Sequence, residues 1–227
     1  DESPMDSLAR QIAASGIKRV RGDVVGDASA FDDQLVPDGW KSRYLGAAYA
    51  ARVSALSLNE NIVWVVVQPN GRTASVSLDP PTTTIPVQSS VRVVNGRSGR
   101  ISASRRPDGG ISVRGTIGER SGPLRYSLVV EDPATFTTGA LRAALEKAGV
   151  TVDGKVTLGV TPPHATPAAT ISSPPLGEIV AEMNRESINL YAELLFRGAA
   201  RSSSTGQVGS AQAALSTLRS FLSDKVG

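Results

Sequence analysis

Two helical segments, each ended by a glycine and followed by a short strand-like segment, constrain the fold of this chain most. In residues 4–16, apolar side chains follow helical spacing up to Gly16, and a short β-branched segment comes next. Residues 140–149 repeat that arrangement up to Gly149, about 130 residues later, and run into another strand-like segment. We expect the two units to pack together in one domain.

The region between the two units has a sequence pattern typical of an antiparallel sheet. Asn70-Gly71, Asn95-Gly96 and Asp108-Gly109-Gly110 each separate two β-branched stretches, which is typical of hairpin turns. We therefore predict a β module of about 65 residues, inserted into the first domain. Residues 78–90 are rich in Pro and Thr and are expected to form a loop along its edge.

The chain changes character again after residue 160. Residues 161–175 contain five prolines, which predicts a linker or a chain crossing between domains. Apolar residues then recur with helical spacing in residues 176–194 and 210–227, so we predict two helices. These helices have no strands of their own to cover, which indicates that they belong to a domain only partly contained in the chain.

The composition excludes several kinds of site. The chain has no cysteine and one histidine, so disulfides, thiolate nucleophiles and cysteine-based zinc sites are excluded. His164 lies between prolines and is expected at the surface, where it cannot anchor a histidine-based metal site. With 4% aromatic residues and two methionines, no cofactor pocket is indicated. The sequence therefore predicts neither a metal nor a cofactor, and any nucleophilic catalysis would need a lysine or carboxylate base.

No run of 18 apolar residues occurs, so no membrane span is predicted. Residues 1–8 have neither the basic start nor the apolar core of a signal peptide. The chain is therefore expected to be cytosolic, or to be exported with its signal peptide removed.

Positive charge is concentrated between residues 91 and 125, where eight arginines stand against two acidic residues. The arginines are Arg92, Arg97, Arg100, Arg105, Arg106, Arg114, Arg120 and Arg125. We expect them on solvated strand faces or against an anionic cell-wall surface. A nucleic-acid binder would interleave aromatic side chains for stacking, and only Tyr126 lies nearby, so no nucleic-acid partner is predicted.

Ser187-Ile188-Asn189 is the candidate for chemistry. On an unbroken helix Ser187 and Asn189 would point about 200° apart and could not serve one site. Asn184, Ser187 and Asn189 are all capping residue types, so a helix break at 184–189, with a new helix from Leu190, is predicted. From these residues alone, a polar cap at a helix junction remains the alternative. Further along, Glu193 and Arg197 are expected to form an ordinary i, i+4 ion pair.

Ser-x-Asn followed by Leu-Tyr-Ala-Glu-Leu-Leu resembles the second signature of the class C penicillin-binding D-alanyl-D-alanine carboxypeptidase/endopeptidase family. In that family S-x-x-K, S-x-N and K-T-G motifs build a serine acyl-transfer site. Other stretches resemble the family in the same order, so the resemblance covers nearly the whole chain. They are residues 16–32, 38–40, 53–61 and 136–156.

The resemblance implies an α+β fold. A β-lactamase/transpeptidase-like catalytic domain, partly contained in the chain, receives an inserted α/β domain, which itself carries a small antiparallel β-rich domain. The implied second domain comprises residues 1–55 and 126–170, and the third comprises 56–125. Residues 171–227 would return to the catalytic domain and carry the S-x-N motif.

The resemblance also implies an activity on peptidoglycan outside the cytoplasm. The complete enzyme would cleave the bond between two D-alanines of a stem peptide through an acyl-enzyme, and would bind β-lactams. Ser187 would relay a proton between the S-x-x-K lysine and the leaving amine. Asn189 would hold the substrate backbone and orient that lysine.

This sequence departs from the family pattern at two of the three motifs. Its only S-x-x-K is Ser15-Gly-Ile-Lys18, and Lys-Thr-Gly is absent. Ser15 lies at the end of its helix, whereas such a nucleophile is expected at a helix N-terminus. We therefore expect S-x-x-K before residue 1, K-T-G beyond Gly227, and an inactive fragment between them. The alternative function is a non-catalytic module whose arginine-rich β domain docks on the anionic cell wall or on a partner.

Overall fold

The structure, a computed structural model, describes residues 2–203 and 208–226. The domain limits expected at residues 1 and 227 lie outside the described residues. The helices are α1 (Pro4–Ala14), α2 (Pro133–Lys147), α3 (Leu176–Glu186), α4 (Asn189–Ser203) and α5 (Ala211–Lys225). The first strands are β1 (Arg19–Val20), β2 (Val24–Gly26), β3 (Ile62–Asn70), β4 (Thr73–Asp79) and β5 (Val87–Val94). They are followed by β6 (Arg100–Arg105), β7 (Ile111–Gly118), β8 (Leu124–Val129), β9 (Thr151–Val152) and β10 (Val156–Leu158).

The two helix-glycine-strand units pack together as predicted. The Ser3 hydroxyl caps α1 by accepting a 3.1 Å hydrogen bond from the Asp6 amide, and Pro4 provides a preformed first turn. β1 pairs in parallel with β9, and β2 pairs in parallel with β10. Ala9 of α1 and Leu145 of α2 lie in one buried cluster with Val24 of β2 and Val152 of β9. The packing of two units so distant in sequence requires the intervening residues to leave and re-enter this layer.

The intervening residues form two three-stranded sheets that share a core. One sheet has the strand order β4-β3-β8, and the other has the order β5-β7-β6. Alternate residues of β3 and β7 are fully buried between them, and Phe136 of α2 joins the same cluster. The central valines and isoleucines are Val63, Val65, Val67, Ile111, Val113 and Ile117.

Two of the three predicted hairpins are confirmed, and the one at Asn95-Gly96 is wrong. β5 and β6 lie on opposite sides of β7, with β5 parallel to it and β6 antiparallel. The Gly96 carbonyl accepts a 3.0 Å hydrogen bond from the Arg120 amide, so the chain crosses the end of β7 instead of folding back on β5. A Cβ on Gly99 would lie 2.9 Å from the Thr116 carbonyl oxygen, which explains a glycine at this crossing. The β module is therefore mixed, not purely antiparallel.

The loop predicted at residues 78–90 is shorter than expected, because β5 begins at Val87. Its threonines cover the start of α2 instead of running free along the sheet edge. Thr82 Oγ1 donates to the Phe136 carbonyl at 3.2 Å, and Thr84 Oγ1 donates to the Thr135 carbonyl at 3.3 Å. The loop thus joins the β module to the helical layer.

The C-terminal helices pack on each other and leave one apolar face uncovered. Residues 161–175 have no regular secondary structure, and His164 is exposed, as predicted. Ala214 of α5 is buried beside α4, while Leu218 and Phe221, further along the same face of α5, are about half exposed. Among the residues that the structure describes, no helix has the length and apolar character needed to cross a membrane.

Candidate functional site

Ser187 ends one helix and Asn189 begins the next, which confirms the predicted helix break. Ser187 has a left-handed backbone, with φ 55° and ψ 44°, and the Ile188 amide donates to the Met183 carbonyl at 3.0 Å. α4 starts at Asn189, one residue earlier than predicted. A non-glycine residue with positive φ is uncommon. The chain therefore places a serine at a position whose backbone favours glycine.

The break is held in place by apolar packing on its inner side. Leu190 is buried with Ala51, Val53 and Ile62, and the half-buried Ile188 packs against the same cluster. Ser187 and Asn189, which flank Ile188, remain exposed. The anchoring of the apolar residues fixes the backbone from which the two polar side chains project.

Ser187 and Asn189 line one small pocket of about 170 Å³, together with Tyr49, Glu60 and Glu186 among other residues. The Asn189 side-chain amide donates a 3.0 Å hydrogen bond to the Tyr49 carbonyl. Within residues 2–203 and 208–226, the Ser187 hydroxyl has no hydrogen-bond partner. The Asn189 side chain is thus positioned by the protein, and the Ser187 hydroxyl is available to a ligand.

A left-handed turn brings Glu60 to this pocket. Asn59, Glu60 and Asn61 have φ values of 51°, 54° and 56°. Asn61 is fully buried, and its Nδ2 donates to the Arg52 carbonyl at 2.7 Å and to Ser57 Oγ at 3.0 Å. These bonds hold the backbone in a left-handed conformation, which costs free energy for residues other than glycine. We did not predict this turn, although Asn-Glu-Asn carried a signal, since asparagine tolerates left-handed backbone.

Tyr191 lies half-buried near the break. Burial raises the pKa of its hydroxyl, and the carboxylates of Glu182 and Glu60 raise it further. Tyr191 therefore stays protonated at neutral pH and can act only as a neutral hydroxyl.

The predicted i, i+4 ion pair between Glu193 and Arg197 is confirmed, and its arginine is buried. The Arg197 side chain is 1% exposed, with Nη1 2.6 Å from Glu193 Oε2 and Nε 3.5 Å from Asp32 Oδ1. Its Nη2 also donates to the Gln34 carbonyl at 3.2 Å. The helical spacing correctly pairs Glu193 with Arg197, but residues 32–34 arrive from a distant part of the chain and cover the pair. Arg197 thereby ties α4 to this segment.

Ser15 lies where its sequence position predicts. It is exposed at the C-terminal end of α1, and its hydroxyl donates to the Ile12 carbonyl at 2.8 Å. Lys18, which completes the S-x-x-K spacing, is also exposed. Neither residue lines the pocket of Ser187 and Asn189. Within the described part of the chain, no three His, Asp or Glu residues form a group that could hold a metal ion.

Comparison with known proteins gives one family over the whole sequence. The model of the D-Ala-D-Ala carboxypeptidase 3 (S13) family matches residues 1–227. The D-alanyl-D-alanine carboxypeptidase of Actinomadura sp. (strain R39) is 30% identical over 206 residues, which cover 85% of this chain and 38% of that protein. The D-alanyl-D-alanine carboxypeptidase DacB of Haemophilus influenzae is 24% identical over 200 residues, with 86% and 42% covered. The chain thus spans about two fifths of the length of these relatives.

The fold is similar to that of a solved structure. The crystal structure of penicillin binding protein 4 (dacB) from Haemophilus influenzae superposes with a TM-score of 0.72 at 22% identity. The match covers 97% of this chain and 50% of that one. The mixed α+β architecture predicted from the sequence is confirmed at this level.

Proposed function

The chain belongs to the D-Ala-D-Ala carboxypeptidase 3 (S13) family, and we propose that it is part of a serine-type D-Ala-D-Ala carboxypeptidase or endopeptidase that acts on peptidoglycan stem peptides. The observation that carries this proposal is the pocket at the helix break, which Ser187 and Asn189 line together. A pair two residues apart reaches one pocket only because the helix is interrupted between them. The same pocket would receive the D-Ala-D-Ala end of the peptide or a β-lactam.

Ser187 is proposed to relay a proton. In the proposed reaction a serine hydroxyl attacks the carbonyl carbon between two D-alanines, and a lysine amine accepts the proton of that hydroxyl. The Ser187 hydroxyl passes a proton from the lysine to the leaving amine of the terminal D-alanine, and the carbon–nitrogen bond breaks. Water then hydrolyses the acyl-enzyme. The Ser187 hydroxyl is exposed and has no hydrogen-bond partner in the described part of the chain, which supports this role.

Asn189 is proposed to position the substrate. Its Nδ2 is held by the Tyr49 carbonyl at 3.0 Å, which fixes the plane of the amide. Within the described ranges, the Asn189 oxygen has no hydrogen-bond donor. It can therefore accept from a substrate amide or from the catalytic lysine.

The serine and lysine of this reaction are proposed to come from polypeptide outside residues 1–227. Ser15 and Lys18 do not line the pocket, and Ser15 lies at the wrong end of its helix for activation by the helix dipole. The sequence contains no Lys-Thr-Gly. The 227-residue chain by itself is therefore proposed to be inactive.

The domain organisation is proposed to be nested. Residues 1–55 and 126–170 form an inserted second domain, 56–125 form a β-rich third domain, and 171–227 belong to the catalytic domain. The uncovered apolar face of α5 supports the last assignment, because the rest of a catalytic domain would bury it. Residue 125 lies within β8, and Phe136 of α2 packs between the sheets, so the second and third domains share a core.

We call the proposed protein that contains this chain together with the catalytic serine and lysine the longer protein. The longer protein is proposed to act outside the cytoplasm, where peptidoglycan lies. Incubation of the longer protein and of the 227-residue chain with a fluorescent penicillin tests the proposal. A covalent band for the longer protein alone supports it. A band for the chain would return Ser15 to the role of nucleophile, and no band for either would favour the non-catalytic binding module.

A further inference from the structure

One face of the β5-β7-β6 sheet carries three arginines in a regular array. Arg92 of β5 and Arg100 of β6 both pair with Thr116 of β7, so these two arginines lie on either side of Thr116 in one row across the sheet. Arg114 of β7 lies two residues from Thr116 and therefore on the same face. The three arginines are exposed, whereas the opposite face of the sheet is buried in the core. We call Arg92, Arg100 and Arg114, with the residues between them, the arginine face.

Within the described residues, no ion pair neutralises the charge of the arginine face. In the parts of the chain that the structure describes, no carboxylate forms an ion pair with Arg92, Arg100 or Arg114. Asp108 pairs with Arg106 at the edge of the sheet. Oε1 of Glu119 lies 3.6 Å from Nε of Arg120, beyond the end of β7. Three unpaired cations on a flat surface create a local positive potential that attracts a polyanion.

The residues between the arginines favour phosphate over carboxylate. Arg114 is flanked in its row by Ser90 of β5 and Ser102 of β6, which are both exposed. A guanidinium fork with a hydroxyl on each side offers donors in several directions, which suits the oxygens of a tetrahedral phosphate. A planar carboxylate is satisfied by the guanidinium fork alone. The chain has no lysine between Lys41 and Lys147, so every basic residue of the β module is an arginine.

The spacing and composition of the face favour a polymer without bases. Arg92 and Arg100 are two strand spacings apart, which is about 10 Å. One small anion would have to draw three separate side chains together, while a polymer can present one phosphate to each. β5, β6 and β7 contain no aromatic residue on which bases could stack. We infer that the arginine face binds a linear polymer of phosphodiester units that carries no aromatic bases.

The test measures binding of the 227-residue chain to synthetic poly(glycerol phosphate) by fluorescence anisotropy. We expect the dissociation constant to rise at least about tenfold when Arg92, Arg100 and Arg114 are all replaced by glutamine, because three phosphate contacts are lost. The matched control replaces Arg10, Arg19 and Arg185 by glutamine, which removes the same charge from exposed ion pairs elsewhere. This control should bind within about twofold of the wild type.

Two further measurements separate site-specific phosphate binding from general charge attraction. For the wild type, the logarithm of the association constant should fall with the logarithm of salt concentration with a slope of about −2, as three contacts on a flexible polymer predict. Arg114→Lys keeps the positive charge but removes the guanidinium fork, so it should weaken binding of the polymer. Because residue 114 is exposed, this substitution should not destabilise the fold.

Three results would overturn the inference. They are an equal loss in both triple variants, binding of poly-L-glutamate as tight as that of poly(glycerol phosphate), and tighter binding of an oligothymidine than of the base-free polymer. The first would show that binding depends only on the net charge of the chain. The second would show that the face prefers carboxylates, and the third that it prefers nucleic acid. None of these outcomes bears on penicillin labelling, so the inference stands or falls separately from the proposed activity.

Discussion

The side-chain amide of Asn189 donates a 3.0 Å hydrogen bond to the backbone carbonyl of Tyr49. The two residues are 140 positions apart, and the bond ties the start of α4 to the turn at Ala48–Ala50. The position of Asn189 therefore depends on a segment proposed to belong to the inserted domain.

The left-handed backbone at Ser187 predicts opposite effects for two substitutions. Ser187→Gly should not lower the free energy of unfolding of the 227-residue chain, because glycine adopts positive φ at no steric cost. Ser187→Val should lower it by about 1–2 kcal/mol, because a β-branched side chain is strained there. Chemical denaturation of the two variants measures both values. Equal free energies of unfolding for the two variants would show that the backbone at residue 187 is not strained. The presence of serine at a position that favours glycine would then no longer support a function for its hydroxyl.

The buried pair on α4 predicts a large effect for a conservative change. Glu193→Gln should lower the free energy of unfolding by about 2 kcal/mol, since it takes a charged partner from a buried guanidinium. Glu146→Gln is the matched control, because Glu146 pairs with Arg142 with the same spacing but at the surface, and it should cost within about 0.5 kcal/mol. Urea denaturation followed by circular dichroism gives both values. A cost for Glu193→Gln as small as that of the control would mean that the pair is solvated.

Local sequence patterns were enough to predict the helices, the two helix-glycine-strand units that pack together and the break at Ser187. Each rests on periodicity or on capping residues that act over a few positions. The Asn95-Gly96 hairpin prediction failed because the turn residues permit a reversal but do not choose the partner strand. The partner of β5 is β7, which lies beyond β6 in the sequence, with Val87 opposite Ile111.

The surroundings of the candidate site could not be predicted in the same way. The Tyr49 carbonyl, Glu60 and the contacts of Arg197 with residues 32–34 come from segments far away in sequence. Nothing in the local pattern around residue 189 or 197 specifies which distant backbone will cover it. The resemblance to a family identified the motif, and only the fold shows what holds it.

Asp27 predicts a pH dependence of stability. Hydrogen bonds from Ser29 and Thr161 hold the pKa of the Asp27 carboxyl well below its usual range, with amide nitrogens at 2.9 and 2.7 Å from its oxygens. This stabilisation is fully present above the unfolded pKa of about 4 and is lost as pH falls through the folded value. Asp27→Asn should therefore be less stable than wild type at pH 7, and the gap should narrow as pH falls from about 5 to about 2. A gap that stays constant in thermal melts across this range would contradict the role of the carboxylate.

The apolar face of α5 predicts a difference between the chain and the longer protein. Phe221→Asp should leave the stability of the 227-residue chain nearly unchanged, because the side chain is 55% exposed there. In the longer protein the same substitution should lower the melting temperature by several degrees, because it would place a charge in an interface. Ser220→Asp, on an exposed position of the same helix, is the matched control for both. Equal effects of Phe221→Asp in the two proteins would argue against placing residues 171–227 in a larger domain.

The rate of acylation by a fluorescent penicillin, measured on the longer protein, tests the central claim most directly. If Ser187 relays a proton and Asn189 positions the acyl donor, Ser187→Ala and Asn189→Ala should each lower the second-order rate constant by at least about 100-fold. Asn184→Ala, an exposed asparagine in the last turn of α3, should leave the rate within about twofold of the wild type. Unchanged rates for Ser187→Ala and Asn189→Ala would contradict the assignment and leave the two residues as a cap at a helix junction.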